Sequence, residues 1–419
     1  MALSNLIARE HYVALTHRNF RLIWLGMLAS MTGSMMQNAA LLWHVSLLVA
    51  PERKALALGA VGLVRVVPIV FFSMVSGVVA DAVNRRRLML LTQTGMALVS
   101  VALATLAFRG LSVVWPVYVL AALSASVGTF DLPARQALVP TLVPREHLPN
   151  AISLNAMMFQ AASVIGPSIG GIVIAAAGVG WAYLANAISF GCVILALILM
   201  RGVSGRPVRL GHEPENEISL RAALEGLKFV FESPLIRSTM LLDFFATFFS
   251  SATALLPIFA QDVLRVGARG YGWLYAAPAV GAVAMSAAMI PLTNRIERRG
   301  PVLLWAVAGY GLATVLFGFS KFFWLTFFAL AMTGAMDTIS MIIRNIVRQL
   351  ETPDRLRGRM MGVNMVFFQG GPQLGELEAG AVANWLGPVF SVVSGGVGCV
   401  IATAWVAMTT PDLRRYRRG

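Results

Sequence analysis

The chain has 419 residues, of which 58% are hydrophobic and 12% charged, where an ordinary globular domain carries about 25% charged residues. Too few polar side chains remain to cover a water-facing surface, so the composition excludes a soluble enzyme and a nucleic-acid binder and implies an integral membrane protein. The formal net charge of +14 is then a question of which loops hold it.

A membrane-crossing helix needs about 20 mostly apolar residues. Twelve such runs follow one another, at 20–45, 56–80, 88–108, 113–137, 151–177, 180–200, 237–261, 271–293, 301–319, 323–347, 360–385 and 388–409. The first 19 residues hold Arg9, His11, His17 and Arg18 and show no small-residue cleavage site. The first span is therefore read as a retained insertion signal. With a cytoplasmic N-terminus, 26 of the 33 Lys and Arg fall on the cytoplasmic side, six in external loops, and Arg65 inside a span. That asymmetry predicts a multi-pass plasma-membrane protein, of the inner membrane in a bacterium, with both termini cytoplasmic. Cys192 and Cys399 both lie in apolar runs and form neither a metal motif nor an inferable disulfide.

Ionisable groups inside hydrocarbon cost roughly 2.5–3.5 kcal/mol on insertion scales and are expected to pair or to face a cavity. Helical spacing decides which of them share a face. In span one, Ser30, Ser34, Gln37 and His44 form a stripe, with Asn38 beside it. Span two contains Arg65 and ends at Asp81 among Arg85, Arg86 and Arg87. In span four Asp131 and Arg135 are four apart and can pair. Span five carries Gly166-Pro167-Ser-Ile-Gly170-Gly171, where Gly permits close helix approach and Pro kinks the helix. Span seven has the stripe Asp243, Thr247 and Ser250. Asp337, Ser340 and Arg344 share a face of span ten, and Arg344 is grouped with Asp131 and Arg135 as a charge-pairing set. In span eleven Gln369, Gln373 and Glu376 form a stripe, and Glu378, two residues on, faces elsewhere. Each stripe has a plainer reading, polar packing between helices, and each charge pair the plainer reading of simple neutralisation.

The polar stretch 201–236 divides the chain into bundles 1–200 and 237–419, and its run from Ile218 to Glu232 is amphipathic. The halves echo each other. Gly77 to Arg87 follows span two as Pro291 to Gly300 follows span eight. Arg135 to Pro144 leads into span five as Arg344 to Pro353 leads into span eleven, nine residues apart in both cases. Gly166-Pro167-Ser-Ile-Gly170 is matched by Gly371-Pro372-Gln-Leu-Gly375. A duplicated six-helix unit is the mark of secondary transporters, which bind substrate between repeats.

On these motifs the chain resembles the major facilitator superfamily over nearly its whole length. Gly77 to Arg87 resembles the superfamily's loop motif between spans two and three. Asp131-Leu-Pro-Ala-Arg135-Gln-Ala-Leu-Val-Pro140, Val143 to Asn150 and Ile165 to Gly171 are similar to the drug:proton antiporter branch that includes macrolide efflux proteins and the enterobactin exporter. Two departures stand out: Ala82 replaces the loop motif's usual Arg, and span four offers Ser124, Ser126 and Gly128 in place of a mid-membrane Arg. The resemblance implies twelve transmembrane helices in two six-helix pseudo-repeats. It implies that spans one, four, seven and ten line the cavity, which makes Gln37, Asn38, Asp243, Thr247 and Asp337 expected binding or coupling residues; Glu376 of span eleven joins them as a coupling candidate whose pairing changes with the outer gate. It implies gates between spans two and eleven: Arg65 with Glu376 or Glu378 on the outer side, and Asp81, Arg85 and Arg359 on the inner side. The Gly166–Gly171 motif, in the matching antiporters, marks exporters.

The expected function is export of a small amphipathic molecule, such as a drug or siderophore, by proton-coupled alternating access. A symporter or lysolipid flippase of the same fold is the alternative, and a membrane-embedded receptor or enzyme is a more distant one. The expected partners are the substrate, protons and the lipid bilayer, for a monomer without nucleic acid, metal or cofactor. The P-loop pattern, the Ser nucleophile elbow and His-Glu-x-x-His are all absent from the sequence.

Overall fold

A computed structural model of the chain describes residues 12–202, 220–249, 252–293, 295–353 and 356–417. The described residues contain twelve helices of at least 16 residues and no strand. They are α1 (Arg18–Leu48), α2 (Lys54–Ala82), α3 (Arg85–Phe108), α4 (Trp115–Leu138), α5 (Leu148–Ala177), α6 (Val179–Leu199), α7 (Pro234–Phe249), α8 (Gly267–Leu292), α9 (Arg299–Phe319), α10 (Phe323–Glu351), α11 (Arg357–Leu386) and α12 (Pro388–Thr409). A shorter linker helix, Leu220–Glu232, precedes α7. Span seven is not one uninterrupted helix. After α7 the chain passes through a 3-10 turn (Ala252–Leu255), a short α turn (Leu256–Ile258) and a π turn (Phe259–Val263). Pro257 sits in this passage and has no amide N–H to continue a regular ladder.

Ten helices among the described residues are long and apolar enough to cross a membrane. The other two, α1 and α11, are the longer kind at 31 and 30 residues. They interrupt their apolar runs with Ser30, Ser34, Gln37, Asn38 and His44, and with Gln373, Glu376 and Glu378. Side chains such as Phe71, Ile290, Trp305 and Trp385 are 74–84% exposed. That outward apolar face suits hydrocarbon, with Trp385 at a helix end where interfacial aromatics gather.

Contacts within the chain define two compact units. The first runs to Leu48 and resumes from Val67 to the end of α6; the second takes Val49–Val66 and everything from the linker helix on. The boundary falls inside α2. Within the first unit α1 packs on α5 and α6, α3 on α4 and α6, and α5 on α6. Within the second, α7 packs on α11 and α12, α9 on α10 and α12, and α11 on α12. Adding six to every helix number turns the first set into the second, so the sequence echo is also an echo of packing.

The Gly-Pro motifs occupy the same place in both patterns. A Cβ on Gly166 would lie 2.6 Å from the Thr32 carbonyl oxygen of α1 and 2.7 Å from Met35 Cβ. A Cβ on Gly371 would collide with the Thr247 hydroxyl of α7. In each unit, then, the fifth helix lies tight against the first because no side chain separates them. Apolar cores fill the remainder: Phe20, Met27, Met89, Leu138 and Leu154 in the first unit, and Leu242, Leu303, Ile343 and Cys399 in the second.

Candidate functional site

Among the described residues of the first unit, buried polar groups of α1, α3 and α6 bond one another. Gln37 is buried, and its side-chain oxygen accepts from the Ser100 hydroxyl at 2.7 Å and from the Asn186 amide at 2.9 Å. Asn186 also accepts from Ser189 at 3.0 Å. Thus the stripe expected to meet substrate is turned, at Gln37, into contacts among α1, α3 and α6. Asn38 next to it is half-buried. His44, on the same stripe, lies 3.2 Å from the Tyr183 hydroxyl.

Asp131 and Arg135 share a helix face yet form no salt bridge among the described residues. Asp131 is buried, and its Oδ1 accepts from Thr92 at 2.8 Å and from Gln93 at 2.9 Å. Two neutral donors on α3 hold the carboxylate's Oδ1, and Arg135 stays within its electrostatic reach without a salt bridge. Arg135 contacts the Met31 sulfur at 3.5 Å and lines a cavity of about 390 Å³.

The second unit is built differently. Asp243 of α7 is 3% exposed. Its Oδ1 lies 2.8 Å from Arg344 Nη1, close in distance though off the hydrogen-bond direction. Its Oδ2 lies 3.4 Å from Arg348 Nη2. Arg348 also donates to the Thr239 hydroxyl and carbonyl oxygens at 3.3 and 3.2 Å. Arg344 holds Asp337 as well, at 3.4 Å. Two guanidinium groups and two carboxylates thus meet between α7 and α10, and their formal charges cancel. The spacing explains the meeting: Asp337, Arg344 and Arg348 are seven and four apart on α10, while Thr239 and Asp243 are four apart on α7.

The two carboxylates have unequal surroundings. Asp243 has 4% of its side chain accessible, Asp337 44%. Asp337 borders a cavity of about 120 Å³ lined also by Tyr310, Thr314, Thr333 and Thr253. The Thr314 and Thr333 hydroxyls donate to the Tyr310 and Leu330 carbonyls at 3.0 and 2.6 Å, leaving oxygen lone pairs. Thr247 donates to the Asp243 carbonyl at 2.8 Å and fills the space that Gly371 leaves. Ser250, the last member of that stripe, lies outside the described residues.

A second cluster joins the Val49–Val66 part of α2 to α11. A Cβ on Gly59 would sit 2.9 Å from Gly380 Cα, and one on Gly62 would sit 2.9 Å from Glu376 Cβ. Glu376 Oε2 accepts no hydrogen bond from the described residues, and Arg65 lies within electrostatic reach of both Glu376 and Tyr275. Glu378 is half-buried and forms no salt bridge among the described residues. Lys54, where α2 begins, bonds Asp262 at 3.3 Å and Gln261 at 2.9 Å.

At the other end of α2, the side chains of Asp81 and Arg359, and that of Gln369 further along α11, lie outside the described residues. Arg85 is described, and it donates to the Ala137 carbonyl at 3.1 Å. Several residues of these clusters escaped the sequence reading. Arg348 is one, although its spacing of four from Arg344 is a visible signal of a shared face. Thr92, Gln93, Ser100 and Asn186 were available as polar interruptions of apolar runs, but nothing local names their partners.

A family model described as a transmembrane secretion effector matches residues 10–416. The chain is 28% identical over 345 residues to the enterobactin exporter EntS of Escherichia coli O1:K1 / APEC, covering 82% of this chain and 81% of that one. Its similarity to the enterobactin exporter EntS of Shigella boydii serotype 18 is the same. Among solved structures, an inward-facing, unoccupied bacterial homolog of the human lysosomal transporter Spinster aligns with a TM-score of 0.74 at 15% identity, over 96% of this chain and 99% of that one. A bacterial homologue of the iron transporter ferroportin, also inward-facing, aligns with a TM-score of 0.67 at 16% identity, over 95% and 99%.

Proposed function

The chain belongs to the transmembrane secretion effector family of the major facilitator superfamily, whose fold makes it a secondary transporter, and we propose from that footing that it exports a small amphipathic molecule by proton-coupled alternating access. The observation that carries the export reading is its similarity to enterobactin exporters along 82% of its length. In this reading the bundles 1–200 and 237–419 are the rocking halves, and the protein works as a monomer in a bacterial inner membrane with both termini cytoplasmic. Arg65 with Glu376, flanked by Glu378, serves the outer gate, and Asp81, Arg85 and Arg359 the inner one. Asn38 and Thr247 are substrate contacts on the helices that border the pathway, and Gln37 beside them is held by Ser100 and Asn186. Gly166, Pro167, Gly170 and Gly171 hold α5 against α1 and keep the closed side from leaking.

An antiporter needs a carboxylate that is protonated in one state and ionised in the other. Asp243, on the stripe of span seven, is already in contact with two guanidinium groups, at 2.8 and 3.4 Å. Asp337 is better suited: it has one Arg contact, at 3.4 Å, and opens onto a cavity. Adding a proton there releases Arg344 to Asp243 alone and leaves the network with a net positive charge. Glu376 is the second carrier, at the outer gate.

The test is accumulation of enterobactin by inside-out vesicles under an imposed proton gradient. The parent accumulates it. Asp337→Asn loses gradient-driven accumulation, while its counterflow, which needs no net proton movement, still exceeds that of empty vesicles. Accumulation by the parent that ignores the gradient would remove proton coupling, and accumulation only by right-side-out vesicles would make the protein an importing symporter. Parent-like accumulation by Asp337→Asn, Asp243→Asn and Glu376→Gln would clear all three carboxylates.

A further inference from the structure

The repeat makes Arg135 and Arg344 counterparts, each nine residues before a proline that precedes the fifth helix of its half. Their surroundings are opposite. Arg344 is met by two carboxylates, at 2.8 and 3.4 Å. Arg135 has no salt bridge among the described residues. Asp131, one turn away, commits its Oδ1 to Thr92 and Gln93. What touches the Arg135 guanidinium is the Met31 sulfur at 3.5 Å, a weak acceptor for a group with five N–H donors.

This under-used cation stands on the wall of a cavity of about 390 Å³ in the first unit, within the range of about 300–1,000 Å³ that holds small ligands. Met31, Leu132 and Phe159 give the cavity apolar walls, and Gln136 and Asn155 bring amide groups beside Arg135. A positive charge in an apolar wall is costly unless something neutralises it. Asp131 lies within electrostatic reach of Arg135 but makes no salt bridge to it, so a cationic ligand would gain nothing here and a neutral one would leave most of the guanidinium's N–H donors without a strong acceptor. An anion with an apolar body meets both demands, because a guanidinium takes the two oxygens of a carboxylate in a two-pronged hydrogen bond.

We propose that this cavity is a substrate site for amphipathic anions, with Arg135 binding the charged head and Met31, Leu132 and Phe159 the apolar body. The proposal rests on the reading of the protein as a transporter of a small amphipathic molecule and narrows that molecule's class to anions. It needs no proton gradient, so its test is independent of coupling.

The probes are 1-naphthoate and 1-naphthamide, which share a ring system and differ in charge. The measurement is binding to purified full-length protein in a neutral detergent, read as ligand-induced thermal stabilisation. The parent should bind naphthoate about tenfold more tightly than naphthamide, the scale of one charge-assisted hydrogen bond. Arg135→Gln should bind both alike, and Arg135→Lys should keep part of the preference, a lysine being a point charge without the fork. The melting temperature of each variant without ligand separates lost binding from lost folding. Should Arg135→Gln fail to fold, Phe159→Ala replaces it, weakening both probes in parallel. A parent indifferent to charge, or an Arg135→Gln variant with an undiminished preference, overturns the proposal. So does Arg135-dependent stabilisation by phosphatidylglycerol vesicles that naphthoate does not match, since that assigns the cavity to a lipid headgroup.

Discussion

The two units repeat one packing scheme and fill it with different chemistry. In the first, Gln37, Ser100 and Asn186, and likewise Asp131, Thr92 and Gln93, settle buried polarity through hydrogen bonds in which the partners are mostly neutral. In the second, Asp243, Arg344, Arg348 and Asp337 settle it through charge pairs. The network of Gln37, Ser100 and Asn186 holds no carboxylate, and that of Asp131 holds one, with no salt bridge among the described residues. A network of two cations and two anions changes its net charge when one proton arrives. On the proposed reading, a duplicated scaffold divides its labour along this contrast, with coupling in the second unit and recognition around Arg135 in the first.

The sharpest way to break this comparison is to neutralise one aspartate in each unit. Asp243→Asn leaves Arg348 buried without an anion and Arg344 with Asp337 alone, which should cost about 3–5 kcal/mol. Asp131→Asn keeps an acceptor for Thr92 and Gln93 and should cost about 1 kcal/mol. Thermal unfolding of both variants in detergent checks this, and equal losses would erase the distinction between the units.

A second measurement sharpens the neutral side. Gln37→Leu removes the acceptor of Ser100 and Asn186 and should cost about 1–3 kcal/mol through orphaned donors. Adding Asn186→Leu should recover part of that loss, because removing both partners is cheaper than removing one. A double variant less stable than the sum of the singles would mean that these groups are not one network.

A third compares the two Gly-Pro motifs. Gly166→Ala drives a methyl against the Thr32 backbone carbonyl, which cannot rotate away, and overpacking of that kind costs about 1–3 kcal/mol. Gly371→Ala meets the Thr247 hydroxyl, which can turn, so its loss should be the smaller. The reverse order in a melting experiment would place the tighter helix contact in the second unit.

The smallest effect lies outside the membrane. The Tyr416 hydroxyl donates to Glu351 at 2.9 Å. Burial, and then the Glu351 carboxylate, push its pKa up to about 12. The hydroxyl is therefore held protonated, and its contribution to stability is present at neutral pH and lost only as pH rises towards about 12. Tyr416→Phe should cost no more than about 1 kcal/mol, with no change between pH 7 and 9 in the difference from the parent; a difference that shrinks in that interval would show the hydrogen bond to be absent.

Some of this is legible in the sequence because it is local. A run of about 20 apolar residues is a spanning helix wherever it sits, so the twelve helices, the six-and-six repeat and the family follow from hydropathy and motif spacing. Helical periodicity also places Asp337 with Arg344, and Thr247 with Asp243, on common faces. What periodicity leaves open is which neighbouring helix arrives at that face and what it carries. Asp131 could pair with Arg135 one turn away or with something unseen, and α3 delivers Thr92 and Gln93 within 2.9 Å. Asp243 reads as a cavity residue until α10 brings two arginines to it. Arg135 and Arg344 look equivalent in the repeat, and only the packed helices give Arg344 two carboxylates and Arg135 a methionine sulfur. The physical reason is range: hydrophobic spans are decided over a window of neighbours in the chain, whereas a hydrogen bond or ion pair is decided at about 3 Å between residues as far apart in sequence as Asp243 and Arg348.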